Sequence, residues 1–166
     1  MTSSPGTEVQ ARAVRTLART FLTLPLVLLV PVLLALPLDD AREPPLALTL
    51  GVLALVGAGF AAAHVVGYRA PAIEPGTSAE QAGRESLQRF QTMLVLRFAM
   101  TEAPLLVALA LSFALDHGPW PYLVAVVPGA LSLAFHTWPG RRTVARTRAA
   151  LESRGARSYL DEALAA

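Results

Sequence analysis

An all-α integral membrane four-helix bundle is the fold this sequence predicts, and three observations predict it. The 166 residues are 54% hydrophobic and 16% charged, where a soluble domain carries about 25% charged residues. The charges are segregated, leaving four apolar runs long enough to cross a bilayer. The arginines crowd the segments on one side of those runs. The expected architecture is two consecutive transmembrane hairpins with a basic C-terminal tail helix. It divides into an N-terminal segment 1–19, a four-span membrane domain 20–138 and a tail 139–166.

The first run, 20–38, follows Arg12, Arg15 and Arg19 and carries no charge. At about 1.5 Å per residue it just spans a hydrocarbon core of roughly 30 Å. It is too long for the core of a signal peptide, and no clean A-x-A site precedes Asp39, so a retained helix is expected. The polar link 39–43 turns the chain into the second run, 44–68, uncharged apart from any proton on His64. Segment 69–91 is rich in Pro, Gly and Glu. Within it Thr77-Ser78-Ala79-Glu80 resembles a capping box, which marks a helix start ahead of the third span. Whether that helix runs unbroken past Gly83 is left open at this level. The third run, 93–115, holds two charges, Arg97 and Glu102. After Asp116-His117-Gly118 comes the fourth, 119–138, ended by Pro139-Gly140.

Orientation follows from arginine counts. The N-terminal segment, segment 69–91 and the tail carry 3, 3 and 6 arginines, whereas the two short turns carry Arg42 alone. By the positive-inside rule both termini are expected in the cytoplasm. Trp120 and Trp138 stand about 27 Å apart along the fourth helix, where an aromatic belt would place them. All 14 basic residues are Arg, as codon bias in a GC-rich bacterial genome produces, so a bacterial inner membrane is the expected location. The rival reading, buried helices of a soluble protein, would leave no amphipathic helices to cover four apolar ones.

Glu102 is the sharpest candidate. It lies nine residues into the third run, near the midplane, where a carboxylate costs roughly 2.5–3.5 kcal/mol unless protonated or paired. Pro104 removes a backbone donor and frees the carbonyl of Met100, so a kink is expected beside the acid. Glu102 reads either as a protonatable group facing the bundle interior or as a hydrogen-bonded acid that locks packing. Arg97 lies only about 6 Å inside the membrane edge and is expected to snorkel outward. A pair with Glu102 is disfavoured, since five residues on a helix are offset by about 140°. His64 and His136 fall at similar depth, and with Thr23, Thr101 and Ser132 they outline a polar cavity open to the cytoplasm. The candidate proton or ion site is therefore Glu102, Thr101, Arg97, His64 and Ser132. Two lone histidines and no cysteine give no ligand set for a metal.

Gly59, Ala63 and Gly67 repeat every four residues, the small-xxx-small pattern of close helix packing. Packing within the bundle is expected, with a homo-oligomer face as the sharper alternative. In the tail, Arg141, Arg142, Arg146 and Arg148 are expected to meet anionic lipid headgroups at about 1 kcal/mol each. Nucleic-acid binding would need a broader basic surface with aromatic stacking groups, and no such partner is expected. No phosphate loop, zincin or nucleophile elbow occurs, so neither a cofactor nor an enzyme is indicated. At an offset of 78, Arg19, Thr23 and Gly51 match Arg97, Thr101 and Gly129, a weak sign of hairpin duplication.

Two resemblances rest on these residues. Gly57 to Gly67, followed by Arg97-Phe-Ala-Met-Thr-Glu102-Ala, resembles the proteolipid hairpin of rotary ATPases, whose embedded carboxylate carries a proton. The loop here is far longer, the glycines do not alternate, and two further spans flank the hairpin, so no rotor is implied. Leu96-Arg97-Phe98-Ala99-Met100-Thr101-Glu102-Ala103 is similar to a motif in small four-span bacterial membrane proteins, a likeness that brings no activity with it. The primary expectation is a non-enzymatic membrane protein acting through helix packing or contact with a membrane-protein partner. The alternative is a small transporter or proton-coupled conduit using Glu102.

Overall fold

The computed structural model describes residues 5–36, 38 and 42–165, with side chains from Glu8 onward. Among the described residues six helices follow one another: α1 (Pro5–Ala35), α2 (Leu46–Val65), α3 (Ala79–Ala114), α4 (Trp120–Thr137), α5 (Arg141–Leu151) and α6 (Leu160–Ala165). The described residues contain no strand. The first four are long and apolar enough to cross a membrane, and the chain is a four-helix membrane bundle. Part of the link 39–43 lies outside the described residues.

The helix boundaries have local causes. Pro44 and Pro45 disfavour helix before them, so α2 begins at Leu46. Ser78 caps α3 by accepting the Gln81 N–H on its hydroxyl at 3.4 Å. The box thus sits one residue later than the Thr77 register suggests. Thr77 instead donates to the Glu74 carbonyl at 2.7 Å. Glu80–Arg84 and Glu85–Arg89 pairs, each four residues apart, carry the helix across Gly83 without a break. Between α3 and α4, Gly118 takes a φ of 53°, which favours glycine.

α3 and α4 form the central antiparallel pair, and α1 and α2 each pack on both of them rather than on one another. The first hairpin therefore straddles the second. Val32, Val52, Val56, Leu105, Ala108, Tyr122, Ala125, Val126 and Leu133 form the buried core of the spans. Outward faces carry Leu26, Val30, Leu50, Leu106 and Leu131, all exposed, as helices facing lipid require.

α3 is 36 residues long, about 54 Å, well beyond a hydrocarbon core of roughly 30 Å. Its first turns project past the spans at the end that carries both termini and most arginines, here called the basic end. α1 projects likewise, so residues expected as a separate N-terminal segment continue the first span as one helix. The projecting turns enclose a second core of Val14, Ala18, Ile73, Leu87, Phe90, Leu94, Leu151 and Leu160.

The tail packs against the bundle. Thr143, Val144, Thr147 and Leu151 make a stripe along α5 that is buried against the protein. The Ile73 N–H donates to the Leu151 carbonyl at 2.8 Å, and the Ser86 hydroxyl donates to the Ser158 carbonyl at 2.8 Å. Arg15 reaches the Leu164 carbonyl from α1. Six arginines in 26 residues mask this narrow stripe in the sequence.

Candidate functional site

The α3–α4 interface is read most directly from two contacts. The Tyr122 N–H donates to the Ser112 hydroxyl at 3.0 Å. Seven residues along each helix, a Cβ added at Gly129 would lie 2.5 Å from a Leu105 methyl. Glycine is required there because the Leu105 side chain fills the space. With that register fixed, Glu102 and Ser132 fall at one level, three residues closer to the basic end on each helix. Both are buried, and neither Glu102 oxygen nor the Ser132 hydroxyl has a hydrogen-bond partner. Thr101 is buried beside them, but its hydroxyl is spent on its own helix, donating to the Arg97 carbonyl at 2.8 Å.

Toward the basic end the interface becomes cationic and aromatic. Arg97 is fully buried. Its Nη1 donates to the Gly67 carbonyl at 3.3 Å and the Thr147 hydroxyl at 3.4 Å. Its guanidinium lies 4.6 Å from the Tyr68 ring centre and 5.5 Å from that of Phe90. Outward snorkelling is thus replaced by inward burial. The reason lies in distant chain: α5 supplies Thr147, and the turn after α2 supplies Gly67 and Tyr68. Arg146 stacks over the same Tyr68 ring at 4.4 Å and sets Nη1 3.3 Å from both His64 ring nitrogens. The Tyr68 hydroxyl and His136 Nδ1 are 3.3 Å apart. His136 Nε2 is buried and unpartnered.

The remaining candidates divide clearly. Gly59, Ala63 and Gly67 are buried in the bundle. A Cβ at Gly59 would meet Pro104 Cγ at 2.6 Å and the Met100 carbonyl oxygen at 2.7 Å. The carbonyl freed by Pro104 therefore faces a glycine, and a Cβ added at Gly67 would clash with Arg97 Cγ. Thr23 is exposed, donates to the Thr20 carbonyl and takes no part in the polar interior. Arg19 is exposed too, so the residues matched to Arg97 and Thr101 by the offset of 78 occupy unlike environments. Arg148 meets Asp161 at 2.6 Å and Glu152 at 3.9 Å. Arg142 lies 3.6 Å over the Phe135 ring, and Arg141 is exposed. Arg97 and Glu102 do not pair: both Glu102 oxygens lack a partner.

Sequence reasoning passed over Tyr68 and Thr147. Tyr68 ends the second apolar run directly after Gly67, a position where an interfacial aromatic was legible. Thr147 had no such signal. Fold and site together define a small multi-pass helical membrane protein with buried polar groups between its helices. Comparison with protein-family models, curated proteins and solved structures gave no match.

Proposed function

We propose that this chain is a small bacterial inner-membrane protein with both termini in the cytoplasm, and that it works as a proton-coupled conduit built around Glu102. One observation carries the reading: a buried carboxyl whose two oxygens find no donor. A structural acid that locks helices would be hydrogen-bonded. An unpartnered one is maintained only if it takes up a proton or a water. Ser132 at the same level supplies a hydroxyl able to receive or pass on a proton. His136, Tyr68 and His64 continue the polar series toward the basic, cytoplasmic side. On the other side Leu105 against Gly129 closes the interface before Ser112 and Tyr122. The arrangement suits alternating exposure of one proton site.

The second reading, a non-enzymatic module acting through packing or partner contact, is supported by the tight seat of Gly59 on Pro104. Carboxyl infrared difference spectroscopy on the reconstituted protein separates the two. A band that changes with pH and vanishes in Glu102→Gln supports the conduit. A carboxyl band constant at every pH overturns it in favour of the packing module. Orientation is tested by a C-terminal reporter: activity only outside the cytoplasm would reverse the topology.

A further inference from the structure

Three guanidinium groups gather at the basic end with no ion pair to a carboxylate among the described residues. Arg97 comes from α3, and Arg142 and Arg146 come from α5. None of the ion pairs among the described residues uses them. Their neighbours are a carbonyl, a threonine hydroxyl, an imidazole and the faces of Tyr68, Phe90 and Phe135. Like charges repel, yet Arg97 and Arg146 share one ring, at 4.6 and 4.4 Å from its centre. The fold holds cations together here and, among the described residues, pairs none of them with an anion.

The head of Arg97 shows what is missing. Its Nη1 is occupied by Gly67 and Thr147. Its other edge, Nε and Nη2, is buried and unpartnered. Those two N–H groups lie parallel and form the fork by which arginine holds two oxygens of one carboxylate or phosphate. A buried charge left with an open fork is costly unless an anion completes it. Three cations at one place suit the higher charge of a phosphate better than a single carboxylate. Half-exposed Trp138 ends α4 three residues before α5 begins, the kind of residue that membrane interfaces favour.

We propose that Arg97, Arg146 and Arg142 form a binding site for a phosphate group, held on the Nε–Nη2 edge of Arg97 and closed from α5. The phosphate enters past Arg146, the half-buried member, whose neighbour His64 is a weaker acceptor than a phosphate oxygen. The site is independent of any proton exchange at Glu102. Its ligand is the phosphate of an anionic lipid headgroup or a free phosphate ion, and the test separates these sources.

The full-length protein in detergent is offered an equal mixture of phosphatidylglycerol and phosphatidylcholine, and bound lipid is read by native mass spectrometry. Thermal unfolding is followed in parallel with inorganic phosphate against chloride at matched ionic strength. A preference of about tenfold for phosphatidylglycerol, lost in Arg146→Gln and Arg142→Gln but kept in Arg141→Gln, supports a headgroup site. A stabilising shift with inorganic phosphate and no lipid preference, lost in the same two variants, supports a free-phosphate site. Neither effect in the wild type, or an equal loss in Arg141→Gln, overturns the proposal. Arg97→Gln is expected to lose binding as well; should it fail to fold, the two α5 variants carry the test.

Discussion

Glu102 and Ser132 face one level of the α3–α4 interface, three residues from the Leu105–Gly129 contact, and neither side chain has a hydrogen-bond partner. Their pairing of burial with unmet polarity has a thermodynamic consequence. An unsatisfied buried polar group costs about 1–3 kcal/mol. Glu102→Leu is therefore expected to stabilise the detergent-solubilised protein by about that amount while removing its pH-dependent infrared band. A loss of stability on Glu102→Leu would mean that the carboxyl makes favourable contacts, and the conduit reading would lose its main support.

The glycines of α2 give a sharper comparison because they sit on one helix in unlike surroundings. Gly59→Ala would press on Pro104 and the Met100 carbonyl, and is expected to cost about 1–3 kcal/mol as overpacking does. Gly51 and Gly57 have nothing within 4 Å of an added Cβ. Alanine at either is expected to be neutral or to stabilise by about 0.5–1 kcal/mol through helix propensity. Denaturant unfolding in mixed micelles measures all three. Equal effects at Gly51 and Gly59 would refute the seating of α2 on α3.

Arg97→Lys tests whether geometry or charge holds the basic end together. Lysine keeps the charge but loses the planar head that spans Gly67, Thr147 and the Tyr68 ring. A destabilisation of about 1–3 kcal/mol is expected, against less than about 1 kcal/mol for Tyr68→Phe, which retains the ring and loses one hydrogen bond to His136. A loss for Arg97→Lys no larger than that for Tyr68→Phe would show that the planar head contributes little beyond its charge.

The spans, their order and the start of α3 were legible because each has a local cause. A long run without charge has no other stable solution in lipid, and Ser78 with Gln81 is a cap that neighbours alone define. The environment of Arg97 was not legible. Its depth suggested snorkelling, but burial is set by Thr147, fifty residues away, and by a turn whose course depends on α5 docking. The docking was hidden in turn by arginines surrounding a narrow Thr–Val–Leu stripe. Glu102 was found because an isolated charge in an apolar run stands out. Its lack of a partner depends on how the helices pack together, and no single segment records it.

α6 makes the docked tail dependent on pH in one direction. Glu162 lies in its first turn, where a backbone N–H holds the carboxyl below its ordinary value of 4.5, helped by Arg157 at 2.5 Å. A group whose folded value is depressed adds stability above its unfolded value. That contribution is lost as pH falls through the folded one. Docking of α6 is therefore expected to be constant from neutral pH down to the ordinary carboxylate range and to weaken below it. Hydrogen exchange at the backbone of 160–165, followed as pH is lowered and corrected for intrinsic rates, reports this directly. Glu162→Gln is expected to loosen α6 at neutral pH and to flatten its response to acid. If the variant responds to acid as steeply as the wild type, the sensitivity belongs to other carboxylates of the tail.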